Sequence, residues 1–261
     1  VQPELGIFYT CFTEKAAVEY SLEPLFKHYP SIPVYLVSDG GTDFKYLEST
    51  YPSLRALLEE DTRGCIPSIN ETNFTTKDSQ DKIKHSITTF VDRIERAIHF
   101  CNSKYLLIIE PDVLVRGKLN IPKDGKIFGS RVNSGLSDEL KSILVQRDDA
   151  IVIDNWGVTP ALFECKSFKR CSAILKNDKE LFDSLCLADY RLAAYDVLLP
   201  VMYALIGEHE IFNPDITECM RNPLWQSSTH PLLHQYRAKY QNASDGYSGR
   251  HSRDNYWPWK D

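Results

Sequence analysis

The stretch Tyr105-Leu-Leu-Ile-Ile109 is wholly aromatic or aliphatic and stops abruptly at Glu110-Pro111-Asp112. An apolar run of this length, rich in isoleucine and leucine, reads as a strand buried on both faces of its sheet. Pro111 has no N–H to offer a continuing ladder and biases Glu110 toward an extended backbone. In an extended chain residues two apart point the same way. Glu110 and Asp112 are therefore expected side by side at the carboxyl end of the strand. Two such acids repel each other, and a hard divalent cation relieves the repulsion. The alternative is a turn whose acids are solvated.

The flanking segments set this strand in a larger pattern. Gly6-Ile-Phe-Tyr-Thr10 and Pro33-Val-Tyr-Leu-Val-Ser38 read as further strands, the second stopped by the turn signal Asp39-Gly40-Gly41. Lys15–His28 carries apolar residues at helical spacing, with Pro24 as a bend or stop. Phe44–Glu60 reads as helical and broken near Pro52, Gly64–Thr76 as a polar loop, and Asp78–Cys101 as a long amphipathic helix. This β-α-β-α-α-β order predicts an α/β fold with a mostly parallel sheet flanked by helices. Further on, Lys126–Ser130 and Asp149–Ile153 are expected as strands. Ser137–Leu144, Ala161–Leu175 and Asp189–Ile206 are expected as helices, the last interrupted by Pro200. From Asn213 the chain turns rich in Pro, Asn, Ser, Tyr and Trp and loses regularity. The expected organisation is one half over residues 1–125, a second half of the same domain over 126–240, and a tail over 241–261. Parallel α/β sheets bind ligands at the carboxyl ends of their strands, and Thr10–Thr13, Asp39 and Glu110/Asp112 all fall there.

With 261 residues the chain can bury a large core as one domain. A net charge of -6 argues against a nucleic-acid or anionic-membrane partner. No uninterrupted apolar stretch reaches the roughly 18 residues of a membrane span. The opening Val1-Gln-Pro-Glu-Leu is no signal peptide. Val1 in place of an initiator methionine fits a processed or excised chain that has lost an upstream anchor or domain. Cys11, Cys65, Cys101, Cys165, Cys171, Cys186 and Cys219 are scattered, with no Cys-x-x-Cys pair. They read as buried free thiols, which favours a reducing, cytoplasmic setting. Asn-x-Ser/Thr sequons at Asn70, Asn73 and Asn242 point instead to a secretory lumen. The sequence leaves that choice open.

With these motifs in place, the chain resembles nucleotide-sugar glycosyltransferases of the GT-A fold, in short motifs scattered from Gly6 to about Lys239. The resemblance implies a nucleotide-cradling loop at Phe8-Tyr-Thr-Cys-Phe-Thr13, with Thr10, Cys11 and Phe12 on the donor. It implies a base- or ribose-binding acid at Val37-Ser-Asp39. Glu110-Pro-Asp112 is similar to the family's Asp-x-Asp, departing from it at the first position. Asp112 would bind Mn²⁺ or Mg²⁺, and Glu110 would assist through metal-bound water or ribose. Trp156-Gly157, after Asp154-Asn155, resembles a turn that lines the donor sugar and acceptor; a core tryptophan is the alternative. Ala193-Ala-Tyr195-Asp196-Val resembles the segment that supplies a catalytic base in inverting members, with Tyr195 where an acid is usual. That leaves Asp196 to serve alone, or simply to start a helix.

In His230-Pro-Leu-Leu-His234-Gln-Tyr-Arg237 the resemblance makes His234 the last metal ligand, and Arg237 or Lys239 the diphosphate clamp. Without the resemblance, His-x₃-His on one helical turn is a weak zinc pattern lacking a third ligand. Arg93, on the long helix, is a candidate nucleotide contact or a solvated helical charge. The aromatic and basic tail, with Arg253, Tyr256, Trp257 and Trp259, is a candidate lid over the donor or acceptor-binding strip, or else an ordered surface strap. The resemblance thus implies a metal-dependent glycosyltransferase acting between a nucleoside-diphosphate sugar and a hydroxyl on a glycan or glycoprotein. The alternatives are a sugar nucleotidyltransferase, whose Gly-rich, Arg-containing loop is missing at Thr10–Glu14, and a non-catalytic carbohydrate- or nucleotide-binding protein on the same frame.

Overall fold

β1 (Leu5–Cys11) and β2 (Val34–Asp39) are buried at every position, as strands covered on both faces must be. Between them α1 (Lys15–His28) accommodates Pro24 within its length. β3 (Leu54–Glu59), the long α2 (Lys77–Cys101) and β4 (Tyr105–Ile109) complete the first half. Thr76 caps α2 by accepting the Ser79 N–H, and Asn102 closes it in the left-handed conformation. There follow β5 (Val113–Val115), β6 (Ile127–Gly129), β7 (Val132–Ser134) and α3 (Asp138–Val145). Then come β8 (Asn155–Gly157), β9 (Ala161–Glu164), α4 (Cys165–Asn177), α5 (Lys179–Ala188) and α6 (Tyr195–Ala204). β10 (Ile211–Phe212), β11 (Glu218–Cys219) and β12 (Leu232–His234) come last. The structure is a computed structural model. It describes residues 2–59, 69, 72–123, 125–129, 132–157, 160–213, 218–219 and 230–234, by backbone alone at 132–134, 155–157, 212 and 218–219.

The main sheet has 7 strands in the order β10-β6-β9-β4-β1-β2-β3. β9 runs against its neighbours β4 and β6, and the other pairings are parallel. Alternate residues feed two separate cores. Phe8, Val37, Leu106 and Ile108 pack under α2, α4 and α6 on one face. Ile7, Tyr9, Leu36, Leu107 and Ile109 pack against α1 on the other. Period-2 alternation that is apolar on both sides is what makes these strands read as unbroken apolar runs. This is the helix-flanked, mostly parallel α/β sheet that the element order predicts, with the less regular second half also expected. No helix among the described residues is long and apolar enough to cross a membrane.

Several expected elements take another form. Within Phe44–Glu60 only Lys45–Ser49 turns helically, as a 3-10 segment. Beyond Pro52 the chain becomes β3, where Leu54 and Ala56 are buried and Arg55 between them is exposed, a strand's alternation. Asp149–Ile153 is not a strand: the Ile151 N–H goes to Ala204 O at the end of α6. The sheet position between β4 and β6 is filled instead by Ala161–Glu164, which is therefore strand and not the start of the expected helix. Asp189–Ile206 divides into a 3-10 turn at Tyr190–Ala193 and α6, and Pro200 lies inside α6 without ending it. α5, started by an Asp178 cap, has no counterpart in the sequence reading. Cys11, Cys101, Cys165, Cys171 and Cys186 are buried free thiols. Burial raises Cys101 to about 12. Asn73 is half-buried, while Asn70, Asn242, Cys65 and the tail 241–261 lie outside the described residues.

Leu107 is fully enclosed on the α1 face. Leu107→Ala is expected to lower unfolding stability by about 2–5 kcal/mol, read as a shifted urea midpoint with little change in slope.

Candidate active site at the carboxyl ends of the strands

The chain leaves β4 through a turn. The Val113 N–H donates to Glu110 O at 2.9 Å, closing Glu110-Pro111-Asp112-Val113 on itself. Pro111 pre-sets the second position of such a turn. The extended pairing of Glu110 with Asp112 expected from their spacing is thus replaced by a bend. The acids are not fully solvated either: both are half-buried.

β5 follows the turn and pairs antiparallel with β12, which puts His234 opposite Val113, beside Asp112. His234 Nε2 stands 3.5 Å from Asp112 Oδ2, and His234 is only 2% exposed. Two residues more than a hundred positions apart are so joined by strand register. The zinc pattern required His230 and His234 on one helical turn; His234 lies instead on a strand. Burial pulls the His234 pKa down, but Asp112, and then Glu110 and Asp196, outweigh it, leaving it above the ordinary histidine value. The same field that raises His234 places Asp196 within electrostatic reach of it. Asp196 occupies the first turn of α6. That turn is pinned to α2: Tyr195 stacks on Phe90 at 5.0 Å, and Ser86 Oγ donates to Ala193 O at 3.2 Å.

The ends of β1 and β2 form the other side. The Phe12 N–H donates to Glu14 Oε2 at 2.9 Å, and its carbonyl accepts from Ser38 Oγ at 3.0 Å and from the Thr42 N–H at 2.8 Å. A Cβ built on Gly41 would run into the Phe12 carbonyl, so the Asp39-Gly40-Gly41 turn can close here only with glycine. Thr10 is buried, and Cys11 turns its thiol into the core toward Val37 O. Arg93 is not a solvated helical charge: it is 6% exposed, between Asp39 at the end of β2 and Glu59 at the end of β3. Burial pushes the Glu59 carboxyl up, but the guanidinium groups of Arg96 and Arg93 more than offset it and hold its pKa below the usual glutamate value.

Trp156 lies at the middle of β8, paired with Asn133, and β8 runs beside α6; its side chain, like Arg237 and Lys239, lies outside the described residues. Sequence reasoning passed over Glu14 and Glu59. Glu14 carried a helix-start signal, an acid just ahead of an amphipathic run. Glu59 carried none, because its segment read as helix.

No protein-family model matches the chain, and no curated protein matches it. Among solved structures it is similar to the galactosyltransferase LgtC in complex with donor and acceptor sugar analogs, at 12% identity over 88% of this chain and 86% of that chain, with a TM-score of 0.43. It is similar to apo mouse xyloside xylosyltransferase 1, at 9% identity over 90% and 98% of the two chains, TM-score 0.49. A third is the glycosyltransferase GlyE of Streptococcus pneumoniae TIGR4, at 8% identity over 88% and 55%, TM-score 0.41. Likeness this loose transfers no residue's role.

Asp112 and His234 suit a divalent ion in donor chemistry, since carboxylate oxygen and imidazole nitrogen together accept Mn²⁺ more readily than Mg²⁺. Their spacing suits it too. Two donors each about 2.1 Å from one ion stand about 3.0 Å apart at a right angle and about 3.4 Å apart at a tetrahedral one. Among the described residues no group of three or more His, Cys, Asp and Glu is disposed to hold an ion. Any further ligands would have to come from a donor molecule, water or other parts of the chain.

Glu59 makes acid sensitivity testable. Its lowered pKa contributes stability that is fully present above the unfolded glutamate value of about 4.3 and is lost as pH falls through the folded value. Glu59→Gln should be less stable than the parent at pH 7, and the difference should close in acid, as measured by urea unfolding across pH.

Proposed function

We propose that the protein is a metal-dependent glycosyltransferase that moves a sugar from a nucleoside-diphosphate donor to a hydroxyl acceptor on a glycan or glycoprotein. The observation that carries this is the buried His234 standing 3.5 Å from Asp112 at the end of β4, with Glu110 and Asp196 adding to the field that raises its pKa. Such a site repels a diphosphate unless a cation stands between them. Asp112 and His234 would hold Mn²⁺ or Mg²⁺, which would supply positive charge against the leaving diphosphate. Glu110 would orient bound water or the ribose.

The end of β1 at Thr10–Phe12, through its backbone, and Asp39 would face the nucleotide, with Arg237 or Lys239 on the diphosphate and Trp156 against the sugar. For an inverting reaction, the acceptor oxygen bonds the anomeric carbon as the C–O bond to the diphosphate breaks, and Asp196 takes the acceptor proton. Pinning α6 to α2 would keep that carboxylate in one place. The departure of Glu110 from the usual aspartate favours a second reading, a nucleotide- or carbohydrate-binding protein without turnover.

Thermal shift with Mn²⁺ and UDP or GDP, followed by sugar-nucleotide hydrolysis, separates the two. The enzyme shows a metal-dependent shift and slow hydrolysis, a binder the shift alone, and a protein with neither function shows neither. Asp112→Ala should abolish the metal-dependent shift and leave the metal-free melting temperature nearly unchanged; an undiminished shift would move the ion elsewhere. Asp196→Asn should slow transfer by about 10²–10⁴-fold in steady-state assays without weakening nucleotide binding.

A further inference from the structure

Asp39 and Glu59 are in-register neighbours at the ends of two parallel strands, and such neighbours stand about 4.8 Å apart. Two carboxylates on one face at that spacing repel. Arg93 reaches across from α2 and joins them: Nη2 donates to Asp39 Oδ1 at 2.7 Å and Nε to Glu59 Oε2 at 2.8 Å. Arg96, one turn further on, holds Glu59 from the solvent side and is itself half exposed. Arg93 and Arg96 thus both hold Glu59, and the Arg93–Asp39 pair is almost fully buried. The reaction proposed above makes no use of Glu59 or Arg96.

Asp39 is 2% exposed. A carboxylate so enclosed meets a ligand in the one direction its partner sets. The neighbouring backbone cannot shift to compensate, because Gly41 is closed on the Phe12 carbonyl. Arg93 has a planar fork whose edges are committed to two different acids, so it cannot turn toward one without leaving the other.

We propose that Arg93 is a positioning residue which, anchored on Glu59, fixes the direction in which Asp39 addresses the base or ribose of the donor nucleotide. Glu59 then governs nucleotide affinity without touching the nucleotide. This rests on the reading of Asp39 as a donor contact.

The test is a double-mutant cycle on the affinity of UDP and GDP with Mn²⁺, by calorimetric titration of the parent, Glu59→Gln, Asp39→Asn and the double variant. Glu59→Gln should weaken the tighter nucleotide about tenfold and narrow its preference over the other base. In the Asp39→Asn background the same change should have no further effect. Arg93→Lys, which keeps the charge and loses the fork, should fall between the parent and Arg93→Met, and it answers the question if Glu59→Gln does not fold. Parent-like affinity in Glu59→Gln, or equal losses from it in both backgrounds, overturns the inference alone. Failure of the parent to bind either nucleotide overturns the functional reading and the inference with it.

Discussion

Enclosing β4 on both faces dictates much of what surrounds it. A strand with Leu106 and Ile108 in one core and Leu107 and Ile109 in the other leaves no room for a charge along its length. Unpaired carboxylates in such surroundings face a desolvation penalty that no apolar contact repays. Polar groups are thereby driven to the strand's end, where the chain must turn and where helices no longer cover it. The same constraint acts on β1 and β2, so Phe12, Asp39 and Asp112 emerge along one rim. Concentrating chemistry at that rim follows from the sheet being buried, and needs no special arrangement of its own.

Charge is handled in two contrasting ways along the rim. At the ends of β2 and β3, Asp39 and Glu59 meet the guanidinium groups of Arg93 and Arg96. At the end of β4, Asp112 faces the buried His234, whose pKa is held above the ordinary histidine value by Asp112 and then by Glu110 and Asp196. Breaking either of the pairs made by the buried Arg93 would leave a charge uncompensated. The two groups lie at the same edge of one sheet, with β1 between β2 and β4.

The apolar runs of β1, β2 and β4 and the apolar stripe of α2 were legible because local periodicity and tertiary burial agree there. Disagreement explains the misreadings. Leu54–Glu59 mixes apolar and charged residues in a way that serves a helix as well as an edge strand, and Pro52 marks the change without saying into what. Ala161–Glu164 runs straight into α4, so the two share one apolar segment that spacing cannot divide. At Glu110-Pro111-Asp112 proline argued for extension of its predecessor and equally for a turn, and the Val113 hydrogen bond decided for the turn.

Composition and local pattern alone establish an α/β chain whose acids cluster after a buried strand, because periodicity and burial propensity are properties of neighbours in sequence. They cannot place His234 against Asp112 or Arg93 between Asp39 and Glu59. Those contacts come from the register of β12 on β5, from the seating of α2 over β1 and β2, and from the register of β3 on β2. Such long-range docking depends on how whole faces fit together, and no short window of sequence encodes it.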